Sequence, residues 1–218
     1  MVKLKVGITG HTQGLGAAFA EYFKEEEVHG FSRRNGWDLY NESSCNALIQ
    51  NMENFDIFIN NAPVGKYQEC LFEGVLSNWL GQDKTIINVS SIAADITPGM
   101  MTVWEEHLRP EAEDKVGAGR TGEELIQYVR EYVKSKRRLD KLTNVRTLEV
   151  GLQHENKPHI LNLKPAATAT ELLGNNVFLN TLLDVEDFMS VFDTAWKMRD
   201  QVKLTNLTFI GTRPNPNK

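Results

Sequence analysis

What most constrains this chain is an alternation. Strand-like segments at Leu4–Ile8, Val28–Ser32, Ile57–Ile59, Thr85–Val89, Ile160–Leu163 and Leu204–Ile210 are separated by segments with helical spacing. Those segments run from Leu15 to about Glu26, from a cap at Ser43 or Ser44 to about Met52, weakly from Cys70 to Leu80, from Thr121 to about Leu152, and from Val185 to Met198. Parallel strands need a crossover between them, and a helix supplies it, so strand–helix–strand repetition predicts an α/β fold: a mostly parallel, doubly wound sheet with helices on both faces.

A length of 218 residues suits one domain with a substantial core, and neither a composition shift nor an internal repeat marks a boundary. One domain spanning 1–218 is therefore expected, with one stretch out of rhythm at about 98–122. That insertion starts apolar and ends acidic and glycine-rich. Long loops of this kind are usually functional, and a substrate-pocket lid is preferred over an oligomer contact or a spacer. The net charge of −5 argues against a nucleic-acid or anionic-membrane partner. Two cysteines without scaffold spacing, no long apolar run and no leader-like start suggest a soluble, cytoplasmic protein. The five histidines show no metal-ligand spacing, so no metal is expected.

Between the first strand and first helix lies Thr9-Gly10-His11-Thr12-Gln13-Gly14-Leu15-Gly16. Glycines there let the backbone turn sharply and approach a pyrophosphate, while the helix N-terminus offers unpaired N–H donors and a positive dipole end. Three residues separate the first two glycines, giving T-G-x-x-x-G-x-G. In this the sequence resembles the short-chain dehydrogenase/reductase family, and the likeness extends from Gly7 to Ile210. It implies a Rossmann-type three-layer α/β/α fold with about seven strands and a nicotinamide dinucleotide cofactor. Gly10, His11, Gln13, Gly14, Leu15 and Gly16 would form the cofactor loop.

Further segments match in turn. Strand two ends Gly30-Phe31-Ser32-Arg33-Arg34, without the acid that binds a ribose 2′-hydroxyl. Ser32 and Arg33 suit a 2′-phosphate instead, so NADP(H) is preferred over NAD(H). Asp38-Leu39 resembles the family's adenine-contacting pair, and Asn60-Asn61-Ala62 its N-N-A-G segment, with Asn61 and Ala62 at the cofactor and Pro63 replacing Gly. Leu161 to Thr170 resembles the strand and P-G-x-x-x-T turn at the nicotinamide, which implies Pro165, Thr168 and Thr170, with Ala166 replacing Gly.

The chemistry-bearing motif is Tyr132-Val-Lys-Ser-Lys136. Residues four apart share a helix face, so phenol and ammonium converge. A phenol ordinarily titrates near 10, and a neighbouring Lys⁺ would lower that value and fit Tyr132 for proton transfer to a carbonyl oxygen. Lys136 would also serve the cofactor's ribose. Of the pair closing strand four, Ser91 matches the family's catalytic serine, with Ser90 the alternative. The segment from Ala62 to Ser91 is short for the family, and its one Asn after the N-N-A match, Asn78, sits too near Ser91 to be assigned a role.

The expected function is an NADP(H)-dependent oxidoreductase that interconverts a small carbonyl and its alcohol by hydride transfer. A catalytically weak dinucleotide-binding protein on the same fold is the competing reading. Apolar residues on several flanks of the long helix (Val129, Val133, Leu142, Val145) predict a homodimer or homotetramer.

Overall fold

The computed structural model describes residues 2–102, 122–166, 181–199, 201–211 and 213–214. Its centre is a six-stranded sheet in the order β2-β1-β3-β4-β5-β7. The strands are β1 (Lys5–Thr9), β2 (Glu27–Phe31), β3 (Ile57–Asn60), β4 (Thr85–Val89), β5 (His159–Pro165) and β7 (Asn206–Phe209), and every neighbouring pair is parallel. Two short strands, β6 (Thr181–Leu182) and β8 (Arg213–Pro214), pair antiparallel on their own. The main sheet thus has six strands where about seven were expected. The connection from β2 to β3 holds one α-helix and short 3-10 turns but no further strand, which leaves β2 at the edge.

Side-chain alternation divides the core in two. Val6, Ile8, Ile57, Ile59, Ile87, Val89, Leu161 and Leu163 face one side and pack with Phe19 of α1 (Gly14–Tyr22). Phe188, Phe192 and Trp196 of α5 (Val185–Lys197) complete that layer. Phe58, Ile86 and Ile160 face the other side. There they meet Leu48 of α2 (Glu42–Asn51), five buried apolar residues of α3 (Lys66–Trp79) and Leu139 of α4 (Gly122–Gln153). This is the three-layer arrangement that the period-two strands predicted.

Helix starts differ from the sequence expectation for local reasons. The cap of α2 is Asn41, whose side-chain oxygen accepts from the Ser43 N–H at 2.9 Å and the Ser44 N–H at 3.4 Å. Helix α3 begins four residues before Cys70 because its buried stripe includes a polar residue, Gln68, followed by Leu71, Phe72, Val75, Leu76 and Trp79. Helix α1 ends at Tyr22 rather than near Glu26. The Thr121 cap and residues 103–121 of the insertion lie outside the described residues. Val129 and Val133 of α4 pack on Ala93 and Ile96, and Leu142 packs on the α2/α3 layer, so these three do not form the outward flank expected of them. The exposed apolar stripe of α4 is Val145, Leu148 and Leu152, at 44%, 68% and 86% exposure.

Among the described residues no helix is long and apolar enough to cross a membrane, and no cluster of His, Cys, Asp or Glu is arranged to hold a metal.

Candidate functional site

In a parallel sheet all strand C-termini lie along one edge, and here β1 is followed by β2 on one side and β3 on the other. The crevice between β1 and β3 is the switch point at which α/β sheets bind ligands. Gly10 and Gly14 adopt φ of 68° and 54°, left-handed values that favour glycine. Gly16 is needed for a different reason: a Cβ there would stand 2.1 Å from the Gly10 carbonyl oxygen and 2.7 Å from Asn61 Nδ2. Gln13 occupies the N-cap of α1 and supplies no side-chain hydrogen bond, so its side chain does not screen the N–H donors of the first turn, which begins with Gly14, Leu15 and Gly16. A tight glycine turn opening onto a helix N-terminus fits a pyrophosphate.

The loop is braced from β3. Thr9 Oγ1 accepts the N–H groups of Asn61 and Ala62 at 2.8 and 2.9 Å, and Asn61 Nδ2 donates to the Thr9 and Gly10 carbonyls at 3.0 and 3.3 Å. Asn61 and Ala62 therefore spend their polar groups shaping the crevice. The His11 ring lies over Gly30, with its Nδ1 buried and unpartnered, and burial lowers its pKa. At the end of β2, Ser32 is buried, and its N–H and hydroxyl both reach Asn35 Oδ1, at 2.8 and 3.2 Å. Arg33 and Arg34 are exposed beside it. Asp38 is exposed and accepts from the Tyr40 N–H at 3.2 Å, whereas the Leu39 side chain is buried in the core.

A second group gathers where β4, β5 and α4 meet. Ser91 follows β4, and its hydroxyl donates to the Pro165 carbonyl at 3.4 Å and accepts from the Ala93 N–H at 3.1 Å. The Ser91 side chain also lies beside the Tyr132 phenol and acts to lower its pKa. Burial pushes that phenol above its ordinary pKa, more than the Ser91 contact pulls it down. Without a cofactor the expected lowering by Lys136 is therefore not the governing effect. Lys136 lies one turn on, its Nζ 5.6 Å from the Tyr132 ring centroid. It is almost fully buried, and burial brings its pKa down to about 7. Ser90 points elsewhere: its hydroxyl donates to the Lys136 backbone carbonyl at 3.5 Å.

The structure thus brings Ser91, Tyr132, Lys136 and Pro165 together; Thr168 and Thr170 lie outside the described residues. Sequence reasoning missed Gln68. Its Oε1 accepts from Lys136 Nζ at 3.0 Å across 68 positions, a contact no local pattern announces. Asn78 is exposed at the far end of α3 and donates to the Ile49 carbonyl at 3.4 Å, away from this group. The two arginines after Lys136 are engaged locally: Arg137 donates to the Ala94 and Ile96 carbonyls, and Arg138 pairs with Glu69 at 2.9 Å.

No protein-family model and no curated protein matches the sequence. Solved structures do match by shape. A 4-hydroxyisoleucine dehydrogenase complexed with NADH superposes with a TM-score of 0.66 at 18% identity, covering 95% of this chain and 97% of that one. A short-chain dehydrogenase from Burkholderia cenocepacia J2315, in complex with NADP, gives 0.64 at 15% identity, over 96% and 89% of the two chains. The fold is that of the short-chain dehydrogenases/reductases. A third, 3-ketoacyl-(acyl-carrier-protein) reductase from Brucella melitensis complexed with NADH, gives 0.60 at 16% identity over 95% and 96%.

Proposed function

We propose that this protein is an NADP(H)-dependent oxidoreductase that interconverts a small carbonyl compound and its alcohol. The observation that carries the reading is the meeting of Ser91, Tyr132 and Lys136 on the sheet edge that also bears the glycine turn. Solved proteins of this fold hold NADH or NADP, which supports a nicotinamide dinucleotide here. The turn from Gly10 to Gly16 would hold the pyrophosphate, and Asp38 would lie at the adenine end. Pro165, with Thr168 and Thr170 beyond it, would lie at the nicotinamide. The bound cofactor supplies the hydride.

The chain's own residues supply the proton. Tyr132 carries the proton that a carbonyl oxygen takes up; burial makes its phenol a weaker acid, an effect that a charged Lys136 would offset, and the Ser91 hydroxyl stabilises charge developing on that oxygen. Lys136 adds positive charge beneath the phenol when protonated. The small apolar cluster of Ala93, Ile96 and Val133 packs against Tyr132 and holds its helical turn over Ser91.

The preference for NADP(H) rests on β2, which ends without an acid. Because Asn35 already engages the Ser32 hydroxyl, Arg33 is assigned most of the contact with a 2′-phosphate. NADPH is expected to bind at least ~10-fold more tightly than NADH, about 1.4 kcal/mol. Isothermal titration with both cofactors, on the parent and on Arg33→Ala, tests this: the variant should lose most of the gap. Equal affinities in the parent protein defeat the assignment.

A further inference from the structure

Lys136 Nζ is buried against neutral acceptors. It donates to the Val89 carbonyl at 2.8 Å and to Gln68 Oε1 at 3.0 Å, and burial alone accounts for its displaced pKa. The groups facing it are the Tyr132 ring on its own helix, the Gln68 amide on α3 and the end of β4 at Val89. Acids on the flanking elements are engaged elsewhere: Glu69 with Arg138, and Asp140 with Asn162 and Lys164.

The Gln68 amide cannot turn. Its Nε2 donates to the Asn60 carbonyl at 2.8 Å and the Val89 carbonyl at 3.1 Å, so a flip would set oxygen against two carbonyls and NH₂ against an ammonium. Its backbone carbonyl accepts from Asn60 Nδ2 at 2.8 Å. The same Nδ2 reaches Asn88 Oδ1 at 2.9 Å, and Asn88 Nδ2 donates to Thr143 Oγ1 at 2.9 Å. A chain of buried amides therefore runs from α3 across β3 and β4 to α4, and it presents one fixed oxygen to the amine.

We propose that Gln68 is a positioning residue that governs whether the Lys136 amine carries a proton, so that the amine of the free protein rests between its charged and neutral forms instead of standing as a permanent cation. The proposal rests on the catalytic reading of Ser91, Tyr132 and Lys136. A neutral dipole holds an ammonium less firmly than a carboxylate would, and burial opposes the charge, which together leave the amine near balance around neutrality. A carboxylate at position 68 would favour the charged form, and an apolar side chain would favour the neutral one.

The test is a ¹³C NMR titration of the lysine ε-carbons in the full chain without cofactor, with the Lys136 signal assigned by its loss in Lys136→Met. In the parent protein Lys136 should titrate several pH units below the remaining lysines. Gln68→Glu should raise the midpoint by one unit or more, tenfold in proton affinity, and Gln68→Met should lower it. Gln68→Glu sets its second oxygen against the Asn60 and Val89 carbonyls, so urea unfolding accompanies both variants, and an unmoved midpoint in either folded variant overturns the proposal. A parent Lys136 that titrates with the surface lysines overturns it with no variant at all. Because the readout is the free protein's amine, a lack of reductase activity would count against the proposed function only. An unmoved midpoint in an active enzyme would count against this inference only.

Discussion

Replacing Lys136 by methionine should change how stability depends on pH. The amine is almost fully buried and its pKa is lowered to about 7 by burial, whereas an unfolded lysine titrates near 10.4. Below pH 7 both states carry the proton, and the folded state bears the full cost of a buried ammonium. Between about 7 and 10 the unfolded chain binds more protons than the folded one, so stability rises with pH. The limiting slope is about 1.4 kcal/mol per pH unit, and integration from pH 7 to pH 9 gives roughly 2 kcal/mol. Lys136→Met lacks this group but shares every other titrating residue. The orphaned Gln68 and Val89 oxygens add a cost that does not vary with pH. Urea unfolding of both proteins at matched concentration, at several pH values across that window, isolates the effect. The parent should gain on the variant by roughly 2 kcal/mol between pH 7 and 9. A stability difference that stays flat across the window would refute the reasoning.

Other expectations follow from particular contacts. Gly16→Ala places a methyl 2.1 Å from the Gly10 carbonyl oxygen, so the loop must shift; titration should show NADPH affinity down ~10-fold or more, about 1.4 kcal/mol, with circular dichroism unchanged. The exposed stripe Val145, Leu148 and Leu152 is where self-association is expected, so light scattering should find a dimer or tetramer that Leu148→Glu with Leu152→Glu converts to monomer. A parent protein that is already monomeric at micromolar concentration removes that expectation.

The centre of the sheet was readable because β3 and β4 are compact, largely apolar runs flanked by turn residues, and period-two alternation sorts Ile57 and Ile59 from Phe58 without tertiary knowledge. The glycine turn was readable because backbone geometry restricts it to few residue types. Tyr132 and Lys136 were readable because one helix fixes their relative placement. What escaped depends on distant partners. Gln68 looks like a break in an apolar stripe, and only the approach of α4 explains why a polar side chain is buried there. The start of α3 was missed for the same reason. The facing of Val129, Val133 and Leu142 was misjudged because the 3-10 turn at Ile92–Asp95 and helix α3 cover flanks that helical spacing alone leaves open. The raised pKa of Tyr132 is likewise a product of packing, since the sequence shows the neighbouring lysine but not the burial.

In the proposed function Tyr132 moves the proton in a carbonyl–alcohol interconversion that uses NADPH. Its most direct test follows NADPH consumption over a broad panel of carbonyl compounds, with the parent protein and with Tyr132→Phe side by side. The substitution keeps the ring against Ala93, Ile96 and Val133 and removes only the hydroxyl. The parent should reduce a carbonyl substrate, and the variant should keep undiminished NADPH binding while its rate falls by ~10²-fold or more, the scale of a lost general acid. A Tyr132→Phe protein that turns over at the parent rate would contradict the mechanism. Tight NADPH binding with no carbonyl reduced by the parent would show a dinucleotide-binding protein instead of an enzyme.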